Sequence, residues 1–220
     1  MCELIYVSQA KLRQLVPDLP GRFGLRDVEA EVTTPVGGLK LGKAAREAER
    51  GLAAAVTRLE ASDRAPIWFA EPGIRPGQWV QFEAPMSYGD ADGAVFFLDT
   101  EQADELYPSG GELRLLLHSS SAHLIGPAAP LDVGSFASRW GRFLEVLSRD
   151  REDGVELLPA FHPFLARVAR AMDRLTDHLQ PHYTSAWVAG YARVTAVIPI
   201  NTSTLLAATP LYVEHIAAPA

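Results

Sequence analysis

The spacing of apolar residues in this chain switches from two to three or four, back to two, and then through the same cycle again, which restricts it to folds holding strands and helices in separate runs. "ELIYVS", Glu3 to Ser8, has strand chemistry, and "VEAEVTT", Val28 to Thr34, alternates Val28, Ala30 and Val32 with Glu29 and Glu31. The proline- and glycine-rich "PDLPGRFG" between them reads as a connection. A helix is expected from near Lys43, because Leu52, Val56 and Leu59 recur at helical spacing among strong helix formers. It should end by Asp63, since Pro66 keeps the residue before it out of the α region.

"GQWVQFEA" alternates Val80 and Phe82 with Gln81 and Glu83, and "DADG" supplies turn chemistry before the unbroken apolar run "AVFFLD". This predicts a hairpin whose second strand is buried on both faces. "ELRLLLHSSSAHLIG" adds one or two strands. Phe136, Trp140, Phe143 and Leu147 then mark one amphipathic helix, and Leu165, Val168, Met172, Leu175 and Leu179 a second, between Pro163 and Pro181. "TSAWVAGYARVTAVIPI" and "TSTLLAATPLYVEHI" return to strand patterns joined through "NTS". The expected fold is α+β, a mainly antiparallel sheet with three helices packed largely on one face. No composition break or repeat divides the chain, so residues 1–220 are expected to form a single domain.

Composition excludes several function classes. Hydrophobic residues at 48% and charged residues at 21% are ordinary for a globular domain. The net charge is −7 and the 20 basic residues are scattered, so nothing resembles a phosphate-tracking stripe and nucleic acid is not an expected partner. Cys2 is the single cysteine, which rules out an internal disulfide or a thiolate metal cluster. The residues before Ser8 and Gln9 are too poor in apolar side chains for a secretory leader, and no apolar run approaches the ~20 residues of a membrane span. A soluble cytoplasmic protein is expected, with no membrane partner.

The candidate chemistry centres on "LLLHSSSAHLIG", Leu115 to Gly126. If "SSSA" forms a four-residue hairpin loop, His118 and His123 face one another with Cβ atoms about 5 Å apart. Zinc would need a third ligand, for which the nearest options in kind are Glu214 and His215 on the last strand, with no spacing to support them, so no metal is assigned. A serine nucleophile, Ser119, Ser120 or Ser121 activated by a nearby histidine, with Ser121 and His123 the candidate pair, is the catalytic alternative, although the "GxSxG" elbow and "SxxK" are absent. Arg114 and Arg193 would lie on strand faces among apolar neighbours, where a guanidinium must pair or clamp an anion. Ordinary pairing with Glu83, Glu112 or Glu214 is the plainer expectation. No "GxGxxG" or "GxxxxGK[ST]" spacing occurs, and no cofactor is expected. His162 and His182, beside prolines at the ends of the last helix, read as caps, and the aromatic set Trp68, Phe69, Trp79, Phe82, Tyr88, Phe96 and Phe97 as core more than as a pocket lining.

"ELIYVSQAKLRQL", "EVTTPVGGLKL", "WFAEPGIRPGQWVQFEAPMSYG", "YPSGGELRLLLHSSSAHLIG", "GYARVTAVIPI" and "ATPLYVEHI" together resemble a family of actinomycete (Streptomyces-type) proteins of unknown function, over most of residues 1 to 216. Such relatives look similar to domains of bacterial conflict systems that pair caspase-like and helical-repeat proteins, which implies an accessory or sensing role. The expected function is binding of a small molecule or protein partner through a sheet-face pocket formed by Arg114, His118, His123 and Arg193. The alternatives are a metal-independent hydrolase or cyclase of secondary metabolism using a Ser/His pair, and an interaction protein docking through its C-terminal helix.

Overall fold

A computed structural model describes residues 3–18, 43–91, 94–99, 112–125, 186–200 and 203–218. The elements are β1 (Glu3–Val7), α1 (Gln9–Leu15), α2 (Lys43–Glu60), β2 (Ile67–Trp68), β3 (Trp79–Ala91), β4 (Ala94–Asp99), β5 (Glu112–Ser120), β6 (Ala186–Ile200) and β7 (Ser203–His215). Three expectations, the strand at Val28–Thr34 and the helices marked by Phe136 to Leu147 and by Leu165 to Leu179, lie outside the described residues, as do His162 and His182.

The strands pair in the order β3-β4-β5-β7-β6, and β6 pairs again with β3, so the sheet closes into a five-stranded barrel. The pairing is mainly antiparallel, as expected, but the expectation of a sheet with helices on one face is corrected by its closure into a barrel; of the three helices expected, α2 is among the described residues and the other two lie outside them. Two helices flank the barrel among the described residues, and the β5–β7 pair is parallel. The parallel pair has a topological cause. Strands that alternate in direction around a ring must be even in number, so an odd-membered barrel contains at least one parallel neighbour.

Extra residues curl the sheet into closure. Register shifts leave Leu211 of β7 and Thr195 of β6 without a ladder partner, and a third leaves Ile5 of β1 between Leu4 and Tyr6. Such bulges raise the local twist and bend the strand. The first also accommodates Pro210, which lacks an amide hydrogen to give to a ladder.

Alternation along the strands fills the barrel. Val80, Phe82, Ala84 and Met86 of β3 meet Val95 and Phe97 of β4, Leu115 and Leu117 of β5, Val188 and Ala192 of β6, and Leu206, Ala208 and Val213 of β7. All are buried, so the lumen is a packed core like that of other small barrels. Gly190 is required here. A Cβ at that position would lie 2.2 Å from the Tyr212 carbonyl oxygen and 3.0 Å from the Phe82 ring, which pairs across from it. Every residue of β4 is buried, as the unbroken "AVFFLD" run predicts.

Both helices pack outside the barrel on the β1–β7–β6 side. Leu52, Ala55 and Leu59 of α2 and Leu12 of α1 meet Val7, Tyr191 and Leu211. α1 was not anticipated, although its signals are local. Ser8 caps it, its side chain accepting from the Lys11 amide at 3.5 Å, and Leu12 and Leu15 keep helical spacing ahead of Pro17. Lys11 ties the helix to the barrel by donating from Nζ to the Pro210 carbonyl at 2.9 Å.

Candidate functional site

The four residues expected to share a pocket stand at separate places on the barrel. The "SSSA" segment is not a hairpin loop. β5 continues through Ser119 and Ser120 in register with β4, Ser121–His123 form a single 3-10 turn, and Leu124 bridges Tyr6 of β1. The ladder with β4 holds these serines in the strand, so the turn comes two residues later and the two histidines part, as any change of register requires.

His118 lies on the outer face of β5, since Leu117 faces the barrel core and Ser119 meets Tyr6 of that core. It is 3% exposed, and its Nε2 lies 3.0 Å from Thr195 Oγ1. Thr195 donates its own hydroxyl hydrogen to the Ala207 carbonyl, also at 3.0 Å, so the histidine must be the donor in the first bond. The chain His118 to Thr195 to Ala207 fixes the proton on Nε2 and ties β5, β6 and β7 together at the Thr195 bulge.

Arg114 is also outward-facing but sits near the opposite end. Its Nε donates to Asp99 Oδ1 at 2.9 Å and its Nη2 to the Asp99 carbonyl at 3.2 Å, while Asp99 Oδ2 accepts from the Leu115 amide at 2.7 Å. Pairing is therefore the answer for Arg114, with Asp99 in place of the glutamates expected. The sequence signal was an aspartate closing an otherwise apolar run. Arg193 is exposed and donates from Nε to the carbonyl of Gly77 at 3.2 Å. Across β7, Arg193 is in register with Thr209 and Arg114 with Leu205, so the two guanidiniums do not form a clamp.

His123 belongs to a different group. Its ring stands edge-on to Tyr6, with centroids 6.0 Å apart. Tyr6 is fully buried, shares a hydrogen bond with Ser119 inside the barrel, and meets Phe97 edge-on. Phe97 in turn stacks on Tyr88 at 5.1 Å. Burial, with the Glu3 carboxylate as a lesser cause, raises the Tyr88 hydroxyl above its ordinary pKa and keeps it protonated. Glu3 is paired in register with His215, whose Nδ1 lies 3.9 Å from the carboxylate, and His215 Nε2 is shielded from solvent without a hydrogen-bond partner among the described residues. These groups border the end of the barrel at which β3, β5 and β7 finish.

Ser121 and His123 occupy positions i and i+2 of the 3-10 turn, where successive side chains are about 120° apart and so diverge. Among the described residues no cluster of three or more metal-ligating side chains occurs, and no helix is long and apolar enough to cross a membrane. Tyr6, Asp99 and Thr195 escaped the sequence reading because their roles rest on partners 113, 15 and 77 residues away.

Fold and site define a small closed-barrel α+β protein whose partly exposed aromatic, histidine and carboxylate groups gather at one barrel end above a filled core. The chain belongs to DUF7019, a family of unknown function, which matches residues 4–217. No curated protein and no solved structure matches the chain.

Proposed function

We propose that this protein is a cytoplasmic binding or accessory protein of actinomycete type, recognising a small molecule or protein partner at the barrel end bordered by His123, Tyr88, Glu3 and His215. The observation that carries this reading is the placement of His123. A half-exposed imidazole rests on Tyr6, which is itself held rigid by Ser119 and Phe97 inside a packed core. Polar groups on a preorganised platform at a barrel mouth are the usual makings of a recognition site. Arg114, His118 and Arg193 are engaged in bonds that hold the fold together. The single cysteine fits a reducing compartment. An accessory role beside caspase-like partners would use the same surface.

The test follows the imidazole ring signals of His123 and His215 by NMR while the aqueous small-molecule extract of the source cells is titrated in. Perturbation confined to these two rings, and abolished by His123→Ala, supports the reading. Unperturbed rings, together with photo-crosslinks that form only at other surfaces, overturn it. Turnover of an ester or amide that is lost in Ser121→Ala would favour the hydrolase alternative instead.

A further inference from the structure

The loop between β2 and β3 carries a short repeat, "EPGI" followed by "RPGQ", Glu71 to Gln78. Each half places a glycine at positive φ after a proline, Gly73 at 81° and Gly77 at 90°, which is the chemistry of a type II turn. The second turn is closed by the Gln78 amide donating to the Arg75 carbonyl at 3.2 Å, and Gln78 Oε1 accepts from the Arg75 amide at 2.6 Å. The Gly77 amide donates to the Val194 carbonyl at 2.8 Å and the Val194 amide to the Gln78 carbonyl at 2.9 Å, while Phe69 and Ile74 pack on the barrel core. The loop is thus pinned to β6 and to the core, yet residues 71–73 and 75–78 are exposed.

Two guanidiniums belong to this loop. Arg75 is exposed, and its side chain makes no hydrogen bond or ion pair among the described residues. Arg193 of β6 is also exposed and bonds only through Nε, to the Gly77 carbonyl at 3.2 Å, which fixes the guanidinium against the turn and leaves Nη1 and Nη2 unengaged. The acids of this flank do not answer them. Glu71 is exposed and forms no ion pair among the described residues, and Glu60 of α2 accepts from the Tyr191 hydroxyl at 2.5 Å instead. Arg114, by contrast, has its charge met within the chain by Asp99.

We propose that this loop docks an acidic segment of a protein partner, Arg75 and Arg193 each pairing with a carboxylate. A guanidinium held at Nε with its two Nη groups open is arranged for the bidentate pairing that carboxylates accept. The partner is a protein because a loop exposed over most of its length does not enclose a free small molecule. A nucleic acid is the poorer occupant, since its phosphates run on past the loop and meet a chain of net charge −7. Both turns are already formed and pinned, so docking orders little backbone.

The probe is a short peptide with two adjacent glutamates, titrated into the full chain at low salt while the Gly77 amide and the Arg193 Nε–H are followed by NMR. Both signals should shift saturably, and affinity should fall as salt is added. Arg75→Gln and Arg193→Lys should each weaken binding by about tenfold, the second because an ammonium keeps the charge and loses the fork. Arg75→Gln breaks no bond within the described residues, so it keeps the test decisive should Arg193→Lys disturb the loop. Glu71→Gln should bind at least as tightly as wild type, and a peptide with glutamines in place of the glutamates should not bind. The absence of a saturable shift, equal affinity of Arg75→Gln and wild type, or equal affinity of the two peptides overturns the proposal. Acetate saturating the same signals at the peptide's concentration, or an oligonucleotide of the same charge binding more tightly, overturns the assignment to a protein partner.

Discussion

Asp99 and Glu214 are both carboxylates on strands of the same barrel, and the fold treats them oppositely. Asp99 is 2% exposed and accepts from the Arg114 guanidinium and the Leu115 amide, so its charge closes the end of the β4–β5 ladder. Glu214 is half-buried on the β6–β7 side and accepts from nothing among the described residues, while its carboxyl is pushed up by burial. Residue type alone does not distinguish the two. What separates them is whether the neighbouring strand brings a donor to the same point.

Breaking the Asp99 side of this contrast should have the largest effect. Asp99→Ala removes the carboxylate that meets the largely buried Arg114 guanidinium and the Leu115 amide, and is expected to cost about 3 kcal/mol in urea denaturation. If the charge serves only the pairing, Asp99→Leu combined with Arg114→Met should recover most of that loss. Gly190→Ala comes next. Its methyl group would overlap the Tyr212 carbonyl, so β6 and β7 must separate, at about 2–3 kcal/mol by the same measurement. Tyr6→Phe removes one half of the buried bond to Ser119 and strands the other hydroxyl, for about 1–2 kcal/mol. His123 should then lose its fixed orientation, seen as averaging of its ring signals.

The smallest effect belongs to Glu214 and has the opposite sign. Its pKa is raised in the folded state, so the folded chain holds this proton to higher pH than the unfolded chain does. Its contribution to stability is therefore greatest at low pH, declines as pH rises from the ordinary carboxylate range through the raised value, and is constant above it. Glu214→Gln should remove that slope and leave the protein slightly more stable than wild type at neutral pH, measured as unfolding free energy between about pH 4 and pH 8. A variant less stable than wild type at neutral pH would show that Glu214 is paired in solution, and the contrast with Asp99 would disappear.

Much of the fold was legible before the structure. β4 as an all-buried strand, the hairpin it forms with β3, the β6–β7 hairpin and α2 each follow from apolar spacing over a short window. The site was less legible. "LLLHSSSAHLIG" suggests two histidines across a loop, but the serines stay in the β4–β5 ladder, so His118 faces outward to Thr195 and His123 turns to Tyr6. Arg114 needed a partner, and local inspection offered glutamates where the strand end supplied Asp99.

By itself the sequence determined which segments become strands or helices and which side of each strand is apolar, because those properties depend on residues within one or two turns of one another. The tertiary structure alone decided that five strands close into a ring, that β5 and β7 run parallel, that Gly190 lies under Phe82, and which charged groups find partners. Each depends on register between strands far apart in the chain. Alternation specifies a face, but only pairing specifies a neighbour.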